Sequence, residues 1–313
     1  MKHLSLTHSR RKNLLDMPLL FIFVSLFFFL LQLGIILLML WALPYVLTGS
    51  HAYWDNEMLR FMEVSVAELI SAVIVLAMIK VCLQDELVIG FTKKNLKKGL
   101  VYVSSVILAQ FVQFAFIFLF KKEMINPAGW MRLIFIAYSL LLCTVDALLL
   151  FGVYAGIMMR NWKHQKNCLY KTVFTCGLLV IPLFESSYYN LSMNADAIAQ
   201  LIYSTSVMVL FTCVYLRTRN IFCLIFAYAV CAIFSSFFSF NVEAGLLNSQ
   251  VNTTIQMLLP NLPAAVGLGV FFTASGLYLI RPSVQKEILA LWGANDDEKN
   301  SQHLLDRLST QLS

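Results

Sequence analysis

Apolar segments of about 20 residues recur along the chain and constrain its fold more than any other feature. An α-helix needs about 20 residues to cross the ~30 Å hydrocarbon core of a bilayer, whereas a membrane β-barrel would show alternating segments of about 10 residues. We therefore predict an all-α, polytopic membrane protein with about eight transmembrane helices. The predicted segments are 17–42, 63–83, 100–120, 131–159, 168–184, 197–216, 221–240 and 258–280.

The composition agrees with this fold class. Of the 313 residues, 59% are hydrophobic and 13% are charged. Soluble proteins carry about 25% charged residues, so this chain has too few polar side chains to cover a water-facing globule. A soluble enzyme, a nucleic-acid-binding domain and a disordered scaffold are excluded on this ground. The seven cysteines form no Cys-x-x-Cys pair, which predicts buried thiols rather than disulfides or a metal site.

Basic residues alternate with the predicted spans. They cluster before the first segment and after the second, fourth, sixth and eighth, whereas the intervening loops hold few of them and several acidic residues. Cytoplasmic loops of membrane proteins carry an excess of Lys and Arg, so eight crossings place every cluster and both termini in the cytoplasm. The predicted organisation is a basic N-terminus at 1–16, a membrane domain at 17–281 and a cytoplasmic tail at 282–313.

Two segments on this side have patterns that suit a bilayer surface. Residues 90–99 are either an interfacial helix that contacts anionic lipid headgroups, at about 1 kcal/mol for each basic residue, or an ordinary basic loop. In the tail, Val284, Ile288 and Trp292 predict a short amphipathic helix lying on the membrane, followed by a flexible polar end. The lysines expected at the headgroups are Lys93, Lys94, Lys97 and Lys98.

Ionisable side chains inside the spans are candidate functional groups, because Asp at the centre of a membrane helix costs about 2.5–3.5 kcal/mol. Glu68 and Asp146 are such residues. A hydroxyl group in the bundle interior would also hold either carboxyl, without any further role. None of the five histidines lies in a span, so we expect no intramembrane histidine base, no metal and no cofactor.

Other polar residues in the spans suit helix packing. Gln110 and Gln113 lie three residues apart on one helix face and favour interhelical hydrogen bonds. The sequence Thr-Ala-Ser-Gly at 273–276 lacks the first glycine and the histidine that a membrane serine protease would need. It predicts close packing through small residues.

Three stretches carry a resemblance to a known family. The sequence LVIGFTKKNLKKGL at 87–100 is similar to the basic start of the family's core, and DALLLFGVYAGIMMR at 146–160 is similar to its Glu-Glu-x-x-x-Arg-Gly segment. YLRTRNIFCLIFAYAVCA at 215–232 is similar to its Arg-Thr turn and following Ala-His-x-x-x-Asn helix. On these stretches, residues from about 88 to 236 resemble the CPBP family, the CAAX-protease-like or ABI intramembrane proteases, whose members have about eight helices.

The family's chemistry is water attack on a peptide bond, with a glutamate as general base and His and Asn stabilising the oxyanion. Within 146–160, the resemblance places the two glutamates on Asp146 and Ala147, and the arginine on Phe151. In the later helices it places the next histidine on Leu178, and the final His and Asn on Tyr228 and Ala232. Since one acid alone is kept in related form, the resemblance implies the fold together with a degenerate site.

The resemblance therefore implies a catalytically inactive pseudoprotease that binds or regulates another membrane protein or a transmembrane peptide. Bacterial relatives are linked to bacteriocin self-immunity and to regulation of membrane partners, which makes a bacterial cytoplasmic membrane the expected location. One alternative is an active endopeptidase with Asp146 as base and Tyr228 as oxyanion donor. Another is a transporter or receptor with a polar path past Glu68 and Asp146. Besides the lipid bilayer, the expected partner is a membrane protein, and no nucleic acid is expected. The candidate intramembrane polar site comprises Glu68, Asp146 and Tyr228.

Overall fold

A computed structural model describes parts of seven of the eight predicted segments. The first predicted segment, Glu68 and Asp146 lie outside the described residues. The described residues are 70, 73, 74, 77, 90, 92–121, 133, 136, 137, 140, 144, 147–163, 165–185, 195–237, 240–241, 246–247, 251–252, 257–258 and 260–293.

Helices account for most of the described residues. A π-helical turn, Ile117–Lys121, extends the first of them, and a π-helical segment, Leu148–Ala155, leads directly into the second. The helices are α1 Leu96–Phe116, α2 Gly156–Trp162, α3 Cys168–Glu185, α4 Ala195–Thr218, α5 Phe222–Ser235, α6 Leu262–Leu279 and α7 at 282–293.

Among the described residues, three helical stretches are long and apolar enough to cross a membrane: Leu96–Phe120, Ile198–Thr218 and Leu262–Leu279. The longest has 25 residues and therefore measures about 37 Å, more than the ~30 Å hydrocarbon core. These stretches coincide with the predicted third, sixth and eighth segments. The protein is thus mostly helical in its described part and fits a membrane protein, while the count of eight spans stays a prediction.

Helix α4 lies at the centre of the described helices, where it packs against α1, α3, α6 and the π-helical segment. Its side chains Tyr203, Val207 and Phe211 are fully buried. Helix α1 runs antiparallel to α4, since Asn95 contacts Thr218 at one end and Gln110 contacts Tyr203 further along.

Helices α4 and α6 run parallel and approach each other closely. Gly269 lies against Ile202, and Gly276 lies against Leu210. A Cβ atom on Gly276 would come within 3.1 Å of the Leu210 Cα atom, so a larger residue there would push the two backbones apart. The packing predicted for the small residues at 273–276 is confirmed at this glycine.

Two short antiparallel hairpins lie between α5 and α6. They consist of β1 Phe240–Asn241 with β2 Leu246–Leu247, and β3 Val251–Asn252 with β4 Met257–Leu258. Strand β4 packs against α5 and α1, and its two residues are fully buried. No sequence pattern predicted these strands, because two residues are too few to show an alternation of apolar and polar side chains.

Candidate functional site

Two of the positions to which the resemblance assigns catalytic groups lie together in the interior. Phe151, on the π-helical segment, and Tyr228, on α5, are each 1% exposed. Both rings contact Phe211 of α4: the centroid distance is 6.2 Å for Phe151 and 5.1 Å for Tyr228. The two contacts are edge-to-face, an arrangement that aromatic rings favour. Three helical elements are therefore joined at this point by an aromatic cluster, which comprises Phe151, Phe211 and Tyr228.

The other assigned positions give an apolar surrounding. Ala147 and Ala232 are fully buried, and neither offers a polar side chain. Leu178 belongs to α3, but its side chain lies outside the described residues. Tyr228 brings one polar group to this region, and its hydroxyl donates to the Met208 sulfur at 3.4 Å. With Glu68 and Asp146 outside the described residues, the candidate polar site of Glu68, Asp146 and Tyr228 stays a prediction.

The π-helical geometry at Leu148–Ala155 is the local feature that sequence reasoning missed. Such helices are rare, occur mostly as single turns, and are frequent at functional sites. The apolar run Leu-Leu-Leu-Phe-Gly-Val-Tyr-Ala carries no signal that separates a π-helix from an α-helix. Its side chains Phe151, Val153 and Tyr154 are buried, so this widened stretch forms part of the core.

A polar cluster lies between α1, α4 and strand β4. The Gln110 side chain is fully buried, accepts a hydrogen bond from the Leu258 backbone N–H at 2.8 Å, and donates to the Leu258 carbonyl at 3.2 Å. Its amide nitrogen also contacts the Tyr203 hydroxyl. The hydrogen-bonding role predicted for Gln110 is confirmed, although one of its partners is a strand. Gln113 differs, because both polar atoms of its side chain are buried and neither makes a hydrogen bond of normal geometry, although the side chain approaches the Tyr203 hydroxyl.

The basic segment 90–99 is fastened to the turn between α4 and α5. The Asn220 side chain donates to the Thr92 and Lys94 carbonyls, and the Ile221 N–H donates to the Gly90 carbonyl at 3.0 Å. A Cβ atom on Gly90 would lie 2.5 Å from the Arg219 carbonyl oxygen, which explains a glycine at this close approach. The segment therefore joins the start of α1 to the Arg-Thr-Arg turn.

This arrangement decides the local structure of the four lysines. Lys97 and Lys98 lie in the first turn of α1, and Lys93 and Lys94 lie in the turn before it. All four side chains are exposed. Of the two structures predicted for residues 90–99, neither a separate interfacial helix nor a simple loop is found. The segment is a turn that leads straight into the long apolar helix α1. Contact of these lysines with lipid headgroups stays a prediction.

The amphipathic helix predicted in the tail exists as α7, but its apolar face packs against the bundle. Ile288 and Trp292 are 1% and 4% exposed. The Trp292 indole N–H donates to the Leu216 carbonyl at 2.9 Å, its ring contacts Tyr215, and the Arg219 guanidinium lies 5.1 Å from the ring centroid. The prediction that this face lies on the membrane is corrected, because the side chains expected to enter lipid are covered by protein.

Polar contacts complete the docking of α7. Arg217 forms an ion pair with Glu287 at 2.9 Å and also contacts the Val284 carbonyl. Arg219 donates to the Leu291 carbonyl at 3.4 Å. The two arginines predicted from the sequence as cytoplasmic loop charges thus hold the tail. We call this end of the bundle, formed by residues 92–98, 217–221 and α7, the basic end.

The described cysteines form no disulfide bonds. Five cysteines in the described part, at 168, 176, 213, 223 and 231, are buried free thiols, which confirms the prediction for these positions. Cys82 and Cys143 lie outside the described residues. Within the described ranges, His, Cys, Asp and Glu side chains form no group of three that would hold a metal ion.

Comparison of the chain with protein-family models, with curated proteins and with solved structures gave no match. The described part of the fold is mostly helical, and three of its apolar helices are long enough to cross a membrane.

Proposed function

We propose that the chain is a multi-pass protein of the cytoplasmic membrane, with eight spans, a CPBP-like core at about 88–236 and both termini in the cytoplasm. We further propose that it has no peptidase activity and acts by binding another membrane protein. A bacterial origin and a role of the immunity or regulator type follow from the resemblance.

The observation that carries this proposal is the aromatic cluster. Phe151 and Tyr228 stand where the resemblance places an arginine and a histidine, and both contact Phe211 in the buried interior. Their proximity supports a common core with the family, because both positions belong to the site that the resemblance implies. Hydrolysis needs a water molecule, a base and oxyanion donors. The aromatic cluster offers one polar side-chain group, the Tyr228 hydroxyl, which already donates to the Met208 sulfur. The geometry therefore favours binding over catalysis.

An exposed apolar face of α1 is where binding is best tested. Leu108 and Val112 are 63% and 57% exposed, whereas Val103 and Val106 on the opposite face are fully buried. Exposed apolar side chains on a membrane helix contact either lipid or another helix. The two faces of one helix thus provide test positions and matched controls.

The experiment places a photo-crosslinking amino acid at Leu108 or Val112 of the full chain in its native membranes. We expect an adduct with one membrane protein of unchanged length, and no such adduct from Val106. The adduct should be the same in the Asp146→Asn variant. Cleavage of the captured protein by the wild type, but not by Asp146→Asn, would establish the endopeptidase instead. Adducts with lipid alone would contradict the binding role.

A further inference from the structure

A groove on the outer surface of the bundle lies between α3 and α6, with α4 as its floor. It has a volume of about 350 Å³. Gly177 and Val209 lie at its base, and Phe174 and Leu277 form opposite walls. Phe174 is 67% exposed and Leu277 is 40% exposed, so the groove opens away from the protein. Its lining is apolar apart from two threonine hydroxyls and one tyrosine.

Both walls of the groove end in a cation at the same end of the bundle. Lys171 precedes Phe174 by three residues on α3, and Arg281 follows Leu277 by four residues at the end of α6. Lys171 shares a helix face with Phe174, because residues three apart on a helix lie on one side of it. Arg281 lies just beyond the last residue of α6 and stacks on Tyr278, the neighbour of Leu277. Helix α3 packs against α4, where Gly177 approaches Val209. Only residues 186–194 connect the end of α3 to the start of α4, and so short a connection favours an antiparallel pair of helices. The start of α3 therefore lies at the basic end, as does the end of α6.

The partners of Lys171 and Arg281 in the described part of the chain are neutral, so they do not cancel the positive charges. The Lys171 ammonium donates to the neutral Gln165 side chain at 3.1 Å, and the Arg281 guanidinium donates to Ser283 at 3.0 Å and stacks on Tyr278 at 3.9 Å. Among the described residues, no carboxylate forms an ion pair with either one. Tyr278 is 63% exposed, and exposed tyrosines are typical of the headgroup level of a membrane protein.

We propose that this groove binds one anionic phospholipid, with an acyl chain along α4 and the phosphate between Lys171 and Arg281. Arg and Lys are the side chains that recognise phosphate oxygens, and basic residues near a membrane surface attract anionic lipids. The inference rests on the proposed membrane location, on the groove and on its two neighbouring cations, and it is independent of the proposed role in binding another protein.

The charge beside the groove favours a lipid over a transmembrane helix. The phosphate of a lipid headgroup complements Lys171 and Arg281 at the basic end, whereas the apolar surface of a transmembrane helix offers no partner for these cations. An acyl chain in turn suits the apolar lining of the groove.

The test measures lipid binding to the full-length, delipidated protein in detergent by native mass spectrometry. The probes are dioleoyl phosphatidylglycerol and dioleoyl phosphatidylcholine, which have the same acyl chains and differ in net charge. We expect one phosphatidylglycerol molecule to bind at least ten-fold more tightly than phosphatidylcholine. The double variant Lys171→Gln with Arg281→Gln should reduce this preference at least five-fold. Equal affinity of the wild type for both lipids would overturn the proposal.

Two further variants separate the groove from general charge. The double variant Lys97→Gln with Lys98→Gln removes the same amount of charge at the same end of the bundle, but away from the groove. It should keep the wild-type preference for phosphatidylglycerol over phosphatidylcholine. Gly177→Leu fills the base of the groove and should weaken binding of both lipids. Thermal unfolding of each variant in detergent shows whether it is folded. Where Gly177→Leu does not fold, Gly177→Ala replaces it, because a Cβ atom there meets Val209 at an ordinary 3.7 Å. Equal loss of preference in the Lys97 and Lys98 variant, or unchanged lipid binding after the groove is filled, would refute a site in the groove.

Discussion

At the scale of single residues, two glutamines one turn apart on α1 have opposite energetic roles. Gln110 forms hydrogen bonds with both backbone groups of Leu258, whereas the Gln113 amide is buried without a hydrogen bond of normal geometry. A buried polar group without a partner costs about 1–3 kcal/mol, and a satisfied one contributes a smaller net gain. The same residue type is therefore stabilising at one position and costly at the next.

We expect Gln110→Leu to destabilise the protein by about 1–3 kcal/mol for each Leu258 group that it leaves unpaired. Gln113→Leu, the matched control, should be neutral or stabilising, since it removes a buried polar group that makes no hydrogen bond of normal geometry. The measurement is the thermal unfolding midpoint of each variant in the same detergent. Equal losses of stability in the two variants would show that Gln113 has a partner of its own.

Close packing at Gly99 leads to a second prediction. A Cβ atom there would lie 2.6 Å from the Cys223 sulfur, whereas a Cβ atom on Gly267 would meet nothing within 4 Å. Overpacking of a core costs about 1–3 kcal/mol, and Gly→Ala at an open helical site gains about 0.5–1 kcal/mol. Gly99→Ala should therefore lower the free energy of unfolding and Gly267→Ala should raise it slightly, as measured by denaturant titration in detergent. A Gly99→Ala variant as stable as the wild type would mean that α1 and α5 are further apart than described.

At the scale of elements, the docking of α7 depends on one side chain more than on the ion pair beside it. Truncation of a buried Trp costs about 3–5 kcal/mol, and Trp292 is 4% exposed. Glu287, the partner of Arg217, is 63% exposed, and an exposed ion pair contributes about 0.2–1 kcal/mol. The apolar anchor should thus decide whether the helix stays on the bundle.

We expect Trp292→Ala to release α7, which would speed hydrogen exchange of the amides at 282–293 and open this segment to limited proteolysis. Glu287→Gln should change exchange in α7 less than five-fold. The exposed residue Lys286 provides a control, since Lys286→Ala removes a charge without touching the anchor. Unchanged protection of α7 in Trp292→Ala would assign its docking to the polar contacts of Arg217 and Arg219.

The sequence predicts elements well where hydropathy alone decides them. The third, sixth and eighth apolar segments appear as the three long helices, because hydrocarbon length fixes how many apolar residues a span needs. The π-helical segment and strand β4 escape prediction for different reasons. The π-helical segment is as apolar as an α-helix, so hydropathy does not distinguish the two. Strand β4 is held by hydrogen bonds to Gln110, which is distant in the sequence.

The candidate site shows the same division. The resemblance predicts from the sequence that Phe151 and Tyr228 stand where the family has an arginine and a histidine. The sequence does not predict that both residues contact Phe211, because Phe211 belongs to a stretch that carries no motif. The tail was misjudged for a similar reason, since an amphipathic helix has the same pattern whether its apolar face is covered by lipid or by protein.

At the scale of the whole molecule, charge is distributed unevenly along the bundle. Exposed lysines, Arg217 and Arg219 gather at the basic end, where the start of α1, the turn after α4 and the helix α7 meet. Lys121 ends the π-helical turn that follows α1, and Glu185 ends α3. Both positions are far from the basic end. Since cytoplasmic loops are enriched in Lys and Arg, this arrangement predicts that the basic end faces the cytoplasm.

The orientation leads to a topology that reporter fusions can measure. Alkaline phosphatase is active only outside the cytoplasm, and green fluorescent protein fluoresces only when it folds inside. We expect fluorescence and no phosphatase activity for fusions after Gln165 and after Gly293, and the reverse for fusions after Ser192. Equal expression of each pair, checked by immunoblot, is the control. Phosphatase activity after Gly293 would mean an odd number of spans between the two termini if the N-terminus is cytoplasmic, and would contradict the eight-span topology. Because α7 is held by Arg217 and Arg219, it would also place the turn between α4 and α5 outside, in conflict with the lysines beside it.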